Sequence, residues 1–251
     1  MASVLIEDHQ LAKMPAPSVQ TYARIAGVLF LLSLVAGGFG EYYVPSKLIV
    51  SGDATATAKN IIASALLFRL GFAAYLVEAM CDIGLTLILY LLLRPVSRNL
   101  ALLAAFFRLM GTALFAVAEL FYFAASFILG DANYLKTFSP DQLNSLALLS
   151  LDLYGYGAGL FMVFYGVASI LLGYLIFRSG YLPRFVGALL ALGGVGFVMS
   201  NFALVLAPAY ASPLLLLPMV IAGLSLTLWF LIMGVDVPKW GAKAGGTAVN
   251  L

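Results

Sequence analysis

The sequence predicts an all-α membrane protein in which six transmembrane helices form three consecutive hairpins, with both termini in the cytoplasm. Three observations predict this class. Of the 251 residues, 63% are hydrophobic and only 10% are charged, whereas soluble domains are about 25% charged. Six apolar stretches reach the roughly 20 residues that a helix needs to cross a bilayer. Basic residues gather on one predicted side of these stretches.

The six predicted spans form one transmembrane domain, 21–235, between two tails. Residues 1–20 read either as a short amphipathic helix on the membrane surface or as a loosely ordered cytoplasmic tail. Residues 236–251 read as a flexible tail. The spans are 22–43, 68–93, 100–129, 154–177, 185–206 and 214–233.

The distribution of basic residues predicts the orientation. Six spans place both termini on one side, together with the loops around 94–99 and 178–184. Eight basic residues fall on that side: Lys13, Arg24, Arg94, Arg98, Arg178, Arg184, Lys239 and Lys243. The other side has Lys47, Lys59 and Lys136. By the positive-inside rule both termini are cytoplasmic, in a multi-pass protein of the bacterial inner membrane.

Two predicted helices begin outside their spans. Asp53 is a suitable cap for a helix that starts at Ala54 and runs towards Leu93. Ser139 and Gln142 form a capping box around Pro140, which predicts a helix from there to Phe177. At ~1.5 Å per residue each helix is about twice the thickness of the apolar layer.

Several kinds of chemistry are excluded by residue usage. Cys81 and His9 are the only cysteine and histidine, which leaves no disulfide framework and no thiolate or histidine metal site. Scattered basic residues form no phosphate-binding patch, so nucleic acid is not an expected partner. We therefore expect no catalytic residues, no metal and no cofactor.

Five ionisable residues lie within the second and third predicted spans: Arg69, Glu78, Asp82, Arg108 and Glu119. A charge at the bilayer centre costs ~3 kcal/mol on insertion scales. These side chains must therefore face the interior of the bundle and find partners there.

The turn between these spans, near Val96, suggests which residues pair. Residues whose numbers sum to about 190 lie at equal depth, which matches Asp82 with Arg108 and Arg69 with Glu119. Arg69 falls on the opposite face of its helix from Glu78, so it also fits an outward orientation towards the membrane surface.

Glu78 has Thr112 at equal depth and no evident cation. In low dielectric and beside Asp82 its carboxyl should resist ionisation, so we expect it to be neutral and to face an internal polar site. The mid-span polar residues Asn201, Tyr156 and Tyr165 are further candidates to line such a site. The competing interpretation is that all these charges only specify helix packing.

Several sequence segments together resemble those of a known family: "GDATATAKNI", "YLLLRPVSRNLALLAAFFRL", "YLIFRSGYLPRFVGALL" and "LSLTLWFLIMGV". They are similar to the bacterial membrane family catalogued as domain of unknown function 4386 (DUF4386), over nearly the whole chain. The resemblance implies the fold and the membrane location, and it makes Arg69, Arg94, Arg98 and Arg108 family positions. Tyr154 and Ala168 stand where the family tends to have histidine, and Leu224 where an acid is common, which speaks against a histidine-dependent or metal-dependent role.

Three function classes remain open. The first is a small-molecule or lipid-binding membrane protein, in one form a proton-linked carrier, using Glu78 and Asp82 beside Arg108. The second is a structural or partner-binding membrane subunit whose buried charges specify packing. The third, an intramembrane enzyme, has the least support. Membrane lipid is an expected partner in each case, and no oligomeric state follows from these residues.

Overall fold

The computed structural model describes residues 16–207 and 213–247. Within these ranges the chain is helical and contains no strand. The segment with His9 and Lys13 and residues 248–251 lie outside the described residues, so the predictions made for them stay predictions.

Nine α-helices follow one another in the described ranges. They are α1 (Ala16–Gly37), α2 (Val44–Leu48), α3 (Ala54–Ala63), α4 (Ala65–Leu93), α5 (Arg98–Ile128), α6 (Pro140–Ser179), α7 (Arg184–Leu206), α8 (Leu217–Ile232) and α9 (Val237–Thr247). A π-helical segment, Gly38–Tyr43, joins α1 to α2. Short 3-10 turns occupy Asn133–Thr137 and Pro213–Leu216.

Six helical segments of the described chain are long and apolar enough to cross a membrane. They are Val19–Leu48, Ala65–Leu93, Arg98–Ile128, Pro140–Ser179, Arg184–Leu206 and Leu214–Ile232. These segments overlap the six predicted spans one for one, which confirms the predicted all-α membrane class. The cytoplasmic location of the termini stays a prediction.

The two predicted helix starts are confirmed by their caps. The Asp53 side chain accepts a hydrogen bond from the Ala56 amide at 2.8 Å. The Ser139 amide donates to Gln142 Oε1 at 2.8 Å, and the Gln142 amide donates to Ser139 Oγ at 3.3 Å, which is a capping box. Helix α6 then runs for 40 residues, longer than a simple span.

The single helix predicted from Ala54 to Leu93 is wrong. Ser64, with φ −125° and ψ 41°, separates α3 from α4. Residues 54–70 contain neither Gly nor Pro, so the usual sequence signals of a helix break are absent. Serine favours non-helical conformations only weakly, through local competition of its hydroxyl for backbone groups.

The chain divides into two compact units. The terminal unit contains Met1–Leu31, Gly84–Leu109 and Val163–Leu251, and the internal unit contains Leu32–Ile83 and Met110–Met162. Each has its own apolar core. The core of the internal unit includes Phe68, Tyr75, Phe115 and Tyr122.

Glycines bring α6 and α7 together in the terminal unit. A Cβ atom built on Gly173 would lie 2.5 Å from the Gly187 carbonyl oxygen and 2.6 Å from the Ala191 amide nitrogen. Contacts this short with backbone leave room only for a hydrogen atom. The two helices therefore pack backbone to backbone at this point.

Helix α9 replaces the flexible tail that composition predicts for these residues. Trp240 is buried, and its indole nitrogen donates to the Leu92 carbonyl at 3.0 Å. The Tyr181 hydroxyl donates to the same carbonyl at 2.7 Å. Burial raises the pKa of the Tyr181 phenol, so it stays a donor. One large aromatic side chain thus anchors a segment that is otherwise small and polar.

Candidate functional site

Three carboxyl groups come together in the internal unit. The carboxyl groups of Glu41 and Glu78 lie within hydrogen-bonding reach of each other. Glu119 on α5 lies close enough to both for their charges to interact. We call Glu41, Glu78 and Glu119 the acidic cluster. They come from three different candidate spans.

The π-helical segment positions Glu41. The Gly40 carbonyl in this segment accepts a hydrogen bond from the Tyr75 hydroxyl at 2.8 Å. A Cβ on Gly40 would lie 3.1 Å from the Gly71 carbonyl oxygen on α4, so a glycine allows this close approach. π-Helical turns are rare and are found frequently at functional sites.

Gly37 makes room for the Glu78 carboxyl group. A Cβ on Gly37 would lie 3.0 Å from Glu78 Oε2 and 3.2 Å from Oε1. The next residue, Gly38, has no atom within 4 Å of the same position. The Glu78 carboxyl therefore rests against one specific glycine at the end of α1.

Three tyrosines lie near Glu119 in the internal unit. The Tyr154 hydroxyl is hydrogen-bonded to the Tyr75 hydroxyl at 3.0 Å. The Tyr122 hydroxyl donates to the Phe68 carbonyl at 3.3 Å. All three tyrosines interact electrostatically with Glu119. The site therefore combines acidic groups with phenol hydroxyls and aromatic rings.

Glu119 is the buried member of the acidic cluster. It is 4% exposed, and neither carboxyl oxygen has a hydrogen-bond partner among the described residues. Buried polar groups in native proteins are nearly always hydrogen-bonded. Glu78 is half-buried and Glu41 is exposed, so the cluster extends from the surface of the unit into its core.

Asp82 lies four residues after Glu78 of the acidic cluster and is buried. It accepts a hydrogen bond from a residue outside that cluster. Thr112 donates its hydroxyl hydrogen to Asp82 Oδ2 at 2.5 Å. The sequence placed Thr112 at the same depth as Glu78, which lies one helical turn from Asp82, and this assignment stays a prediction. Arg108 belongs to the other unit, and the predicted contact between Asp82 and Arg108 stays a prediction.

The predicted pair of Arg69 and Glu119 is not formed. Arg69 is exposed, while both Glu119 oxygens are buried without a hydrogen-bond partner in the described part of the chain. The alternative expectation of an outward-facing Arg69 agrees with this placement. A long cationic side chain can reach the membrane surface when its stem lies along apolar residues.

Arg108 is buried in the terminal unit between aromatic rings. Its guanidinium carbon lies 4.7 Å from the centre of the Tyr165 ring and 5.8 Å from that of Phe30. These distances are typical of cation–π contacts. Tyr165, a predicted lining residue, therefore stacks on a buried charge.

The remaining two candidates are Asn201 and Tyr156. Asn201 is buried in the terminal unit and donates to the Phe197 carbonyl of its own helix at 2.8 Å. Tyr156 is 67% exposed. A cavity of about 530 Å³ in the internal unit is lined by residues such as Ile62, Asp131 and Lys136, and by no member of the cluster. Among the described residues, no group of three or more His, Cys, Asp or Glu side chains has the arrangement of a metal site.

A family model described as "Domain of unknown function (DUF4386)" matches residues 25–234. The chain belongs to this family. The match covers all three members of the acidic cluster and confirms the resemblance read from the sequence.

One relative of the chain comes from Archaeoglobus fulgidus. A protein of Archaeoglobus fulgidus described as "Uncharacterized protein" is 32% identical over 118 residues, which is 47% of this chain and 57% of the relative. The matched region thus spans a little over half the length of that relative. No solved structure matches the chain.

Glu41 is the functional candidate of this DUF4386 protein that sequence reasoning missed. The buried charges predicted from sequence lie in the second and third spans, whereas Glu41 lies in the first, 22–43. A simple count would have found it. The chain has four glutamates, Glu7, Glu41, Glu78 and Glu119, and all but Glu7 lie within predicted spans.

Proposed function

We propose that this protein is a proton-linked membrane protein that binds a small molecule or lipid at the acidic cluster. Its proposed location is the bacterial inner membrane, which it crosses six times. The observation behind the proposal is Glu119, a buried carboxyl group with no hydrogen-bond partner among the described residues. Ionisable groups inside membrane spans are costly, and they commonly mark ion, proton or substrate paths.

The closeness of the Glu41 and Glu78 carboxyl groups supports a role for protons. An ionised carboxylate only accepts hydrogen bonds, so two carboxyl groups bond each other only when one of them holds a proton. Such a proton would be shared between an exposed group and a half-buried group. Carboxyl groups that hold a proton between them form a coupled unit, as in other carboxylate dyads.

The arrangement also provides a path for the proton. Glu41 is exposed, Glu78 is half-buried, and Glu119 interacts with both from the core of the unit. A proton that arrives at Glu41 can pass to Glu78 and then lower the repulsion around Glu119. Binding of a cationic ligand would have the same electrostatic effect, so proton release and ligand binding are naturally linked.

A purely structural role has support for the other buried charges. Asp82 accepts a hydrogen bond from Thr112, and Arg108 is stacked against two rings. These contacts fit side chains that specify packing. Glu119 differs, because an acid without a hydrogen bond destabilises a packed core.

Infrared spectroscopy of the purified protein tests the proton-linked role. We expect a protonated-carboxyl band at neutral pH that is reduced in Glu119→Gln and in Glu78→Gln. Asp152→Asn is the matched control, since Asp152 is an exposed acid of the same unit. Absence of the band at neutral pH, or a band unchanged in both variants while they remain folded, would contradict the proposal.

A further inference from the structure

The acidic cluster has the electrostatic character of a cation site. The groups that act most strongly on Glu119 are Glu41 and Glu78, both acids. The two Glu119 oxygens, buried without a hydrogen-bond partner among the described residues, are acceptors that no described donor satisfies. A ligand that brings positive charge and hydrogen-bond donors would stabilise all three groups.

A primary ammonium group matches these acceptors. It has one positive charge and three N–H donors, which can bond carboxyl oxygens such as the two of Glu119. Hydrogen bonds between an ammonium and a carboxylate are about twice as strong as those between neutral groups. Tyr75, Tyr122 and Tyr154 also interact electrostatically with Glu119, so the acidic group lies among aromatic side chains.

Access to the cluster is from the surface of the first candidate span, Val19–Leu48. Glu41 is exposed within this span, and the position next to Gly38 is open. The neighbouring exposed surface is apolar and aromatic, with Val35 64% and Tyr42 79% exposed. In a bilayer such a surface faces acyl chains, so a ligand that arrives here would have an apolar part.

We propose that the acidic cluster binds the primary ammonium group of an amphiphilic amine, with its apolar chain along the exposed surface of the first span. This inference rests on the proposed function and specifies its ligand class. Glu41 meets the ammonium group first, and Glu119 is the innermost acceptor. The requirement for an apolar tail excludes small soluble amines, because only an amphiphile has an apolar part that can lie along the apolar surface of the first span.

Equilibrium binding of radiolabelled dodecylamine tests the inference, with the protein in zwitterionic nanodiscs and empty nanodiscs subtracted. We expect saturable binding that is at least about tenfold weaker in Glu119→Gln and in Glu78→Gln, because each change removes a charge-assisted hydrogen bond. Asp152→Asn should bind as the unmodified protein does.

Three competitors test separately the charge, the N–H donors and the chain length of the ligand. Dodecanol has the same chain without charge, dodecyltrimethylammonium has the charge without N–H donors, and butylamine has the ammonium group with a short chain. We expect each to compete at least about tenfold more weakly than unlabelled dodecylamine. Equal competition by dodecanol or dodecyltrimethylammonium would overturn recognition of the ammonium donors. Equal competition by butylamine would overturn the requirement for an amphiphile.

No saturable binding of dodecylamine, or binding unchanged in a folded Glu119→Gln variant, would also overturn the inference. This failure is distinct from failure of the proposed function, because the infrared band is measured without any amine. A band that depends on Glu119 together with absent amine binding would leave the proton-linked role standing and remove the ligand class.

Discussion

The variant Gly173→Leu is expected to yield little folded protein. A Cβ at this position would lie 2.5 Å from the Gly187 carbonyl oxygen and 2.6 Å from the Ala191 amide nitrogen. Both obstacles are backbone atoms, which cannot move aside as a side chain can. Overpacked cores typically lose about 1–3 kcal/mol, and we expect a loss at or above the upper end of this range.

Gly155→Leu is the matched control because Gly155 lies on the same helix, α6, with no atom within 4 Å of a built Cβ. Thermal unfolding in detergent, followed by size-exclusion chromatography, measures the difference. Equal midpoints for the two variants would show that α6 and α7 do not approach each other as closely as described.

The variant Gly37→Leu is expected to displace the Glu78 carboxyl group from the acidic cluster while leaving the protein folded. A Cβ on Gly37 would lie 3.0 Å from Glu78 Oε2, so a leucine side chain takes the space of the Glu78 carboxyl group. The displaced carboxyl group should no longer lie within hydrogen-bonding reach of Glu41. We expect a weaker protonated-carboxyl band and binding of dodecylamine reduced by about tenfold.

Gly38→Leu controls for the added apolar side chain, because the neighbouring position points into open space. It should keep the infrared band, which is measured without any amine. If both glycine variants weaken the band equally, the Glu78 carboxyl group does not rest against Gly37, and the proposed geometry of the cluster is wrong.

The positions of the helices could be predicted from sequence wherever a single local rule determines them. Runs of apolar residues locate all six spans, since lipid tolerates little else over that length. Asp53 and Ser139 locate two helix starts through capping chemistry within three residues. The break at Ser64 and the π-helical segment Gly38–Tyr43 lack such a signal.

The candidate site was predictable only in part, because it depends on register between helices. Equal-depth counting from Val96 placed Arg69 opposite Glu119, whereas Arg69 is exposed and both Glu119 oxygens are buried without a hydrogen-bond partner among the described residues. Counting gives the depth of a residue along its helix and not the direction in which its side chain faces. Counting also could not connect Glu41 to Glu78, because these residues are on helices whose mutual rotation the sequence does not specify.

The central claim is that Glu41, Glu78 and Glu119 form one coupled group. Isotope labelling of glutamate can test this claim, since the chain has four glutamates and the cluster contains three of them. In a Glu7→Gln background, protein labelled with 13C at the glutamate carboxyl carbon reports on the cluster alone.

Solid-state NMR correlation between these carboxyl carbons in lipid bilayers is the most direct measurement. The account predicts three carboxyl resonances, with cross-peaks from the Glu78 signal to those of Glu41 and Glu119. Each Gln substitution should remove one resonance and shift the other two, because the groups share charge and protons. Three resonances without cross-peaks, each indifferent to substitution of the other two residues, would contradict the account.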